Sequence, residues 1–112
     1  MDLFLELQEL QKRLNNSVKY LKQYGIELAT AERDYKIALR QEALKLRTEK
    51  DMPVTLIQQV VYGVPEVAEK RYKRDIAEAM RDTALENINS IKLQIRIVEG
   101  QLSREWTNNK WN

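Results

Sequence analysis

Apolar residues step along the first third of the chain by threes and fours: Leu3, Leu7, Leu10, Leu14, then Leu21, Tyr24, Leu28, Ala31, Tyr35 and Ala38. Such a period gathers one stripe on an α-helix, and the stripe is stable only against a partner helix. A second stripe occupies the last third: Tyr72, Ile76, Ala79 and Thr83, then Ile88, Ile91, Ile95, Val98 and Leu102. The only two prolines, Pro53 and Pro65, stand between the stripes. The pattern predicts an all-α fold, a long antiparallel helical hairpin with coiled-coil-like seams and a short helix at its tip. Two helices from 112 residues enclose little interior, so the seam residues Leu7, Leu14, Leu21, Leu28, Ile88, Ile91, Ile95, Val98 and Leu102 are expected to join copies into an oligomer.

The punctuation sets the boundaries. Residues 1–106 read as one hairpin domain. Asp2 suits a helix N-cap, and helix 1 is expected over about 2–50, roughly 70 Å at 1.5 Å per residue. Gly25 interrupts good helix formers, yet the stripe keeps its phase from Leu21 to Leu28, which favours a continuous helix over a break. Asp51-Met52-Pro53 stops it, because proline disfavours helix in the residue before it. The tip segment, 53–63, reads as a short helix closed by Gly63, with an intermolecular strand pair as the alternative for its β-branched stretch 54–62. Pro65 and Glu66 open helix 2, expected to reach about Trp106. Around Ala84 and Leu85 its stripe shifts phase before resuming at Ile88, which predicts local unwinding or a change of packing partner. Residues 107–112 read as a C-terminal tail.

Composition removes most chemistry. Charged residues make up 32% of the chain and apolar ones 43%, in an ordered period that fits solvated helix faces rather than disorder. Cysteine and histidine are both absent, which takes away thiolates, disulfides, soft metal ligands and the usual general base. The acids Glu66, Glu69, Asp75, Glu78 and Asp82 interleave with Lys70, Arg71, Lys73, Arg74 and Arg81 at helix-pair spacing and lack a calcium-loop pattern. The three glycines are isolated, so no phosphate-cradling loop is present. These readings imply no catalytic residue, no cofactor and no metal: a protein that is not an enzyme. No apolar run nears the roughly 20 residues that span a bilayer, and Asp2 stands where a secretory signal carries positive charge. A cytoplasmic chain without membrane contact is the expectation.

Two features hold candidate binding groups. Arg33, Lys36, Arg40 and Arg47 share a stripe on helix 1, and Lys70-Arg71-Tyr72-Lys73-Arg74 opens helix 2. A hairpin brings both groups toward one end, making Arg40, Arg47, Lys70, Arg71, Lys73 and Arg74 candidate anion-binding residues for nucleic acid or a nucleotide, with a tyrosine to stack on a base. Against this, residues 31–82 hold eleven Lys/Arg and ten Asp/Glu, less excess than a dedicated nucleic-acid surface carries. At the C-terminus, Trp106 and Trp111 sit among polar residues and are candidate anchors for a partner protein.

The stretches Tyr35-Lys36-Ile37-Ala38-Leu39-Arg40, Met52-Pro53-Val54-Thr55-Leu56-Ile57, Ile91-Lys92-Leu93-Gln94-Ile95-Arg96-Ile97-Val98-Glu99 and Arg104-Glu105-Trp106 resemble small all-helical proteins encoded in early replication and recombination gene clusters of phages and prophages of Gram-positive bacteria. The resemblance covers most of residues 35–106 and includes no catalytic motif. It implies the host cytoplasm and an early phage role, in DNA handling or in inhibiting a host enzyme or defence system. Three functions follow from sequence: an oligomeric module that binds a host or phage protein, a nucleic-acid or nucleotide-binding accessory acting through the basic hairpin end, and a structural or scaffold subunit.

Overall fold

The computed structural model describes residues 2–111, with side chains described for 2–108. The described residues are almost entirely helical and contain no strand: α1 spans Leu3–Glu49, α2 spans Val54–Val60, a 3-10 turn covers Val61–Gly63, and α3 spans Pro65–Trp111. Asp2 does cap α1, its carboxylate accepting from the Phe4 N–H at 2.8 Å. At the other end Asp51 takes a left-handed φ of 49°, a conformation that Asp tolerates better than most residues. The chain then turns back, and the Met52 N–H donates to the Leu46 carbonyl at 3.2 Å. Pro53, extended at φ −60° and ψ 144°, starts α2, and its carbonyl accepts from the N–H groups of Leu56 and Ile57. The segment 54–62 is therefore helical. Gly63 ends it inside the 3-10 turn without a positive φ, so the closure comes from Val64, which leaves helical backbone, and not from a left-handed glycine.

Two compact units divide the chain. The first joins the start of α1, through Gln23, to α3 from Asp82 onward; the second is Tyr24–Arg81. In the first, Leu10, Ile91 and Val98 are buried, with Leu3, Leu7, Leu14, Ile95 and Leu102 packed around them. A polar pair enters this seam: Ser17, only 8% exposed, accepts from the Asn87 side-chain amide at 3.1 Å. In the second, α2 and the 3-10 turn fold over the helix ends, burying Ile57 and Val61 with Tyr35 and Val67, and Leu39, Ala43, Leu46, Met52 and Val64 close the cluster. Each unit is thus an antiparallel pair of helix segments.

The α1 seam is the one its sequence predicts, with Ser17 filling the gap between Leu14 and Leu21. The α3 seam differs in its first half. Tyr72 and Ile76 point outward, 62% and 45% exposed, and Ala79 and Thr83 are exposed with them. The turned-in series is Val67, Lys70, Arg74, Ala77, Arg81, Ala84, Ile88, Ile91, Ile95, Val98 and Leu102, an unbroken alternation of threes and fours. The expected phase shift near Ala84 does not occur, because Ala84 belongs to the series. Lysine and arginine can occupy inward positions because their aliphatic stems cover apolar surface while the charged heads reach water.

Helix α3 also runs to Trp111, beyond the expected end near Trp106. Thr107-Asn108-Asn109-Lys110 contains neither glycine nor proline, and the Thr107 hydroxyl donates to the Ser103 carbonyl at 2.9 Å, inside the helix. Helix α1 is continuous through Gly25, and a Cβ there meets nothing within 4 Å. Gly25→Ala is therefore expected to stabilise the protein by about 0.5–1 kcal/mol, read as a rise of several degrees in the thermal midpoint by circular dichroism. Ile91, 1% exposed, gives the opposite case: Ile91→Ala is expected to cost about 2–5 kcal/mol, measured by urea unfolding.

Candidate interaction surfaces

The six candidate anion-binding residues occupy five different settings. Arg47 is a capping group, its Nη1 donating to the Met52 carbonyl at 3.0 Å. Arg74 is turned inward on α3, with its guanidinium carbon 4.7 Å from the centre of the Tyr35 ring and its Nη2 and Nε donating to the Asp75 carboxylate at 2.7 and 3.1 Å. The hydrogen bond to Asp75 is the main influence raising the Arg74 pKa, opposed by burial and assisted by the nearby charges of Asp75 and Glu78. Arg71 lies 5.7 Å from the Tyr62 ring centre. Lys70 and Lys73 line an open groove with Ile26, Glu27, Thr30, Ala31 and Asp34. Arg40 lines another on the outside of α1, beside Arg33, Lys36 and Glu32. The folded chain thus brings Lys70 and Lys73 together and engages Arg47, Arg71 and Arg74 in contacts with other groups. Among the described residues no three acidic side chains gather as a metal site, and no helix is long and apolar enough to cross a membrane.

The residues expected to join copies meet within a single chain. Leu28, Ile88, Ile91 and Val98 are buried, and Leu7, Leu14, Leu21, Ile95 and Leu102 are half-buried along the same seams. Other faces of the helices also carry exposed apolar side chains. Ile26 is 59% exposed, Ile37 47%, Ile76 45% and Met80 43%; at the end of the first unit Phe4, Leu5 and Trp106 are also exposed, Trp106 most of all at 72%. The Trp111 side chain lies outside the described residues.

Sequence reasoning passed over Ile26 and Met80, because neither falls on the seams it followed. It also passed over Ser17 and Asn87, which are polar where the seam is apolar. The signal for the inward cations was the count itself, since threes and fours backward from Ile88 arrive at Ala84, Arg81, Ala77, Arg74 and Lys70. No protein-family model, curated protein or solved structure matches the chain.

The unequal settings of the cations lead to unequal outcomes. Arg74→Gln is expected to lower stability by about 0.5–1 kcal/mol through loss of the ring stack and the Asp75 fork. Lys73→Gln, at an open groove, is expected to leave the urea midpoint unchanged.

Proposed function

We propose that this protein is a non-enzymatic, self-associating helical module of phage type, acting in the host cytoplasm by binding another protein. The observation that carries the reading is the apolar surface left outside the two cores: Phe4, Leu5, Ile26, Ile37, Tyr72, Ile76 and Trp106 are each at least 45% exposed. Large apolar side chains left in solvent gain by burial against a partner. Its supports are helices, which present side chains at fixed spacing and suit helix-in-groove recognition. In a phage setting, inhibition of a host enzyme or defence system is the form such binding takes. Nucleic-acid or nucleotide binding is the less favoured reading, because three of the six cations meant to carry it are held in contacts with other groups.

Trp106 is the sharpest test. Its exposure predicts that Trp106→Ser leaves the fold and thermal midpoint unchanged while reducing retention of the partner from host lysate by roughly tenfold or more, since buried tryptophans dominate interface energies. Equal retention by the variant and the parent removes Trp106 from the binding surface.

A further inference from the structure

We propose that the outward face of α1 in the Tyr24–Arg81 unit is the docking site for the partner protein, and that its occupant is an acidic amphipathic helix. This rests on the partner-binding reading above and names the chemistry it recognises. The face carries a second alternation of fours and threes, Ile26, Thr30, Arg33, Ile37, Arg40 and Leu44, apart from the inward series that holds Leu28 and Tyr35. Ile26, Ile37 and Leu44 are 59%, 47% and 62% exposed. They stand eleven and seven residues apart, each within about 20° of whole turns, and so form one line about 27 Å long. A line of that period is matched by another α-helix, whose side chains recur in the same steps.

Unpaired charge states what that helix carries. Asp34 is held by Arg33 at 3.2 Å, and Glu27 has a partner within the chain. Lys36 and Arg40 line one groove with Ile37, and Lys73 lines the other with Ile26 and Thr30. None of these three cations has a carboxylate partner among the described residues. Glu32 edges the groove of Lys36 and Arg40 but precedes Ile37 by five residues, about 140° round the helix from it. The charge left over beside the apolar line is therefore positive on both sides. A second copy docked by this same face sets Arg33, Lys36 and Arg40 against their own kind, which costs affinity. A lipid surface is no better suited, since Arg33 and Arg40 alternate with Ile26, Ile37 and Leu44 along one line and would be carried into the acyl layer with them. Nucleic-acid phosphates answer the cations and leave the apolar line wet. A helix with leucine or isoleucine on one stripe and Asp or Glu beside it answers both, and the stems of Arg33 and Arg40 add to the apolar contact.

The probe is a fluorescently labelled synthetic peptide of about three heptads, with leucine at the a and d positions and glutamate at e and g. A second peptide has lysine in place of every glutamate. By fluorescence anisotropy, the full-length protein is expected to bind the acidic peptide at least about tenfold more tightly than the basic one. Lys36→Glu combined with Arg40→Glu should reverse that preference. Ile37→Ser combined with Leu44→Ser should weaken binding of the acidic peptide at least about tenfold. All four positions are exposed, so the helical spectrum should persist in both variants. Equal affinity for the two peptides, an unreversed preference in the glutamate variant, or full affinity in the serine variant overturns this face. Duplex DNA that binds the parent more tightly than the acidic peptide does, and the serine variant equally well, assigns the cations to phosphate and overturns it too. In each of these failures, loss of host-protein retention on Trp106→Ser keeps the partner-binding reading and moves the contact off this face.

Discussion

The structure depends on one constraint, the shared period of two antiparallel helix segments in which inward positions recur after three and four residues. Each helix segment on its own gains little, because nucleation and backbone ordering offset its hydrogen bonds. Burial along the seam supplies the difference. It is strongest in the two clusters, around Leu10, Ile91 and Val98 in one unit and around Tyr35, Ile57, Val61 and Val67 in the other. Between them on α3, from Lys70 to Ala84, no inward residue is fully buried.

That thinner stretch explains the use of charged residues at the seam. Lys70, Arg74 and Arg81 occupy positions that leucine or isoleucine fills elsewhere on α3. Arg74 shows how this is tolerated: its guanidinium lies over the Tyr35 ring while two of its nitrogens reach the Asp75 carboxylate. The charge keeps its hydrogen bonds, and the stem and guanidinium face cover the tyrosine. The same economy operates at Ser17 and Asn87, whose mutual hydrogen bond leaves no unpartnered polar side-chain atom in the described interior. A specific polar pair within an apolar seam also disfavours slippage, since a shift of register breaks it.

Cations drawn into packing are unavailable for ligands, and apolar side chains left out of packing are available for partners. This exchange connects the fold to the proposed function. By turning Arg74 inward and Tyr72 and Ile76 outward, α3 weakens the anion-binding reading and supports recognition through apolar helix faces. Lys70 and Lys73 stay at the groove, beside Glu27 and Asp34.

Sequence by itself determined the helical class, the α1 seam, the stops at Asp51-Met52-Pro53 and Pro65, and the continuity through Gly25. Each follows from local chemistry: periodic side chains, a ring that removes an N–H, a stripe that keeps phase across a glycine. The C-terminal reach of α3 was legible in principle from the lack of a breaker after Trp106. What only the tertiary structure decided was which of two stripes on the first half of α3 faces inward. One is Tyr72, Ile76, Ala79 and Thr83; the other is Lys70, Arg74, Ala77, Arg81 and Ala84. Counting apolar residues favours the first. The second is the one in phase with Val67, which is packed with Ile57 and Val61 at the tip. Burial of Val67 at the tip thus set the phase of the helix that follows it, and the stems of lysine and arginine were apolar enough to accept it.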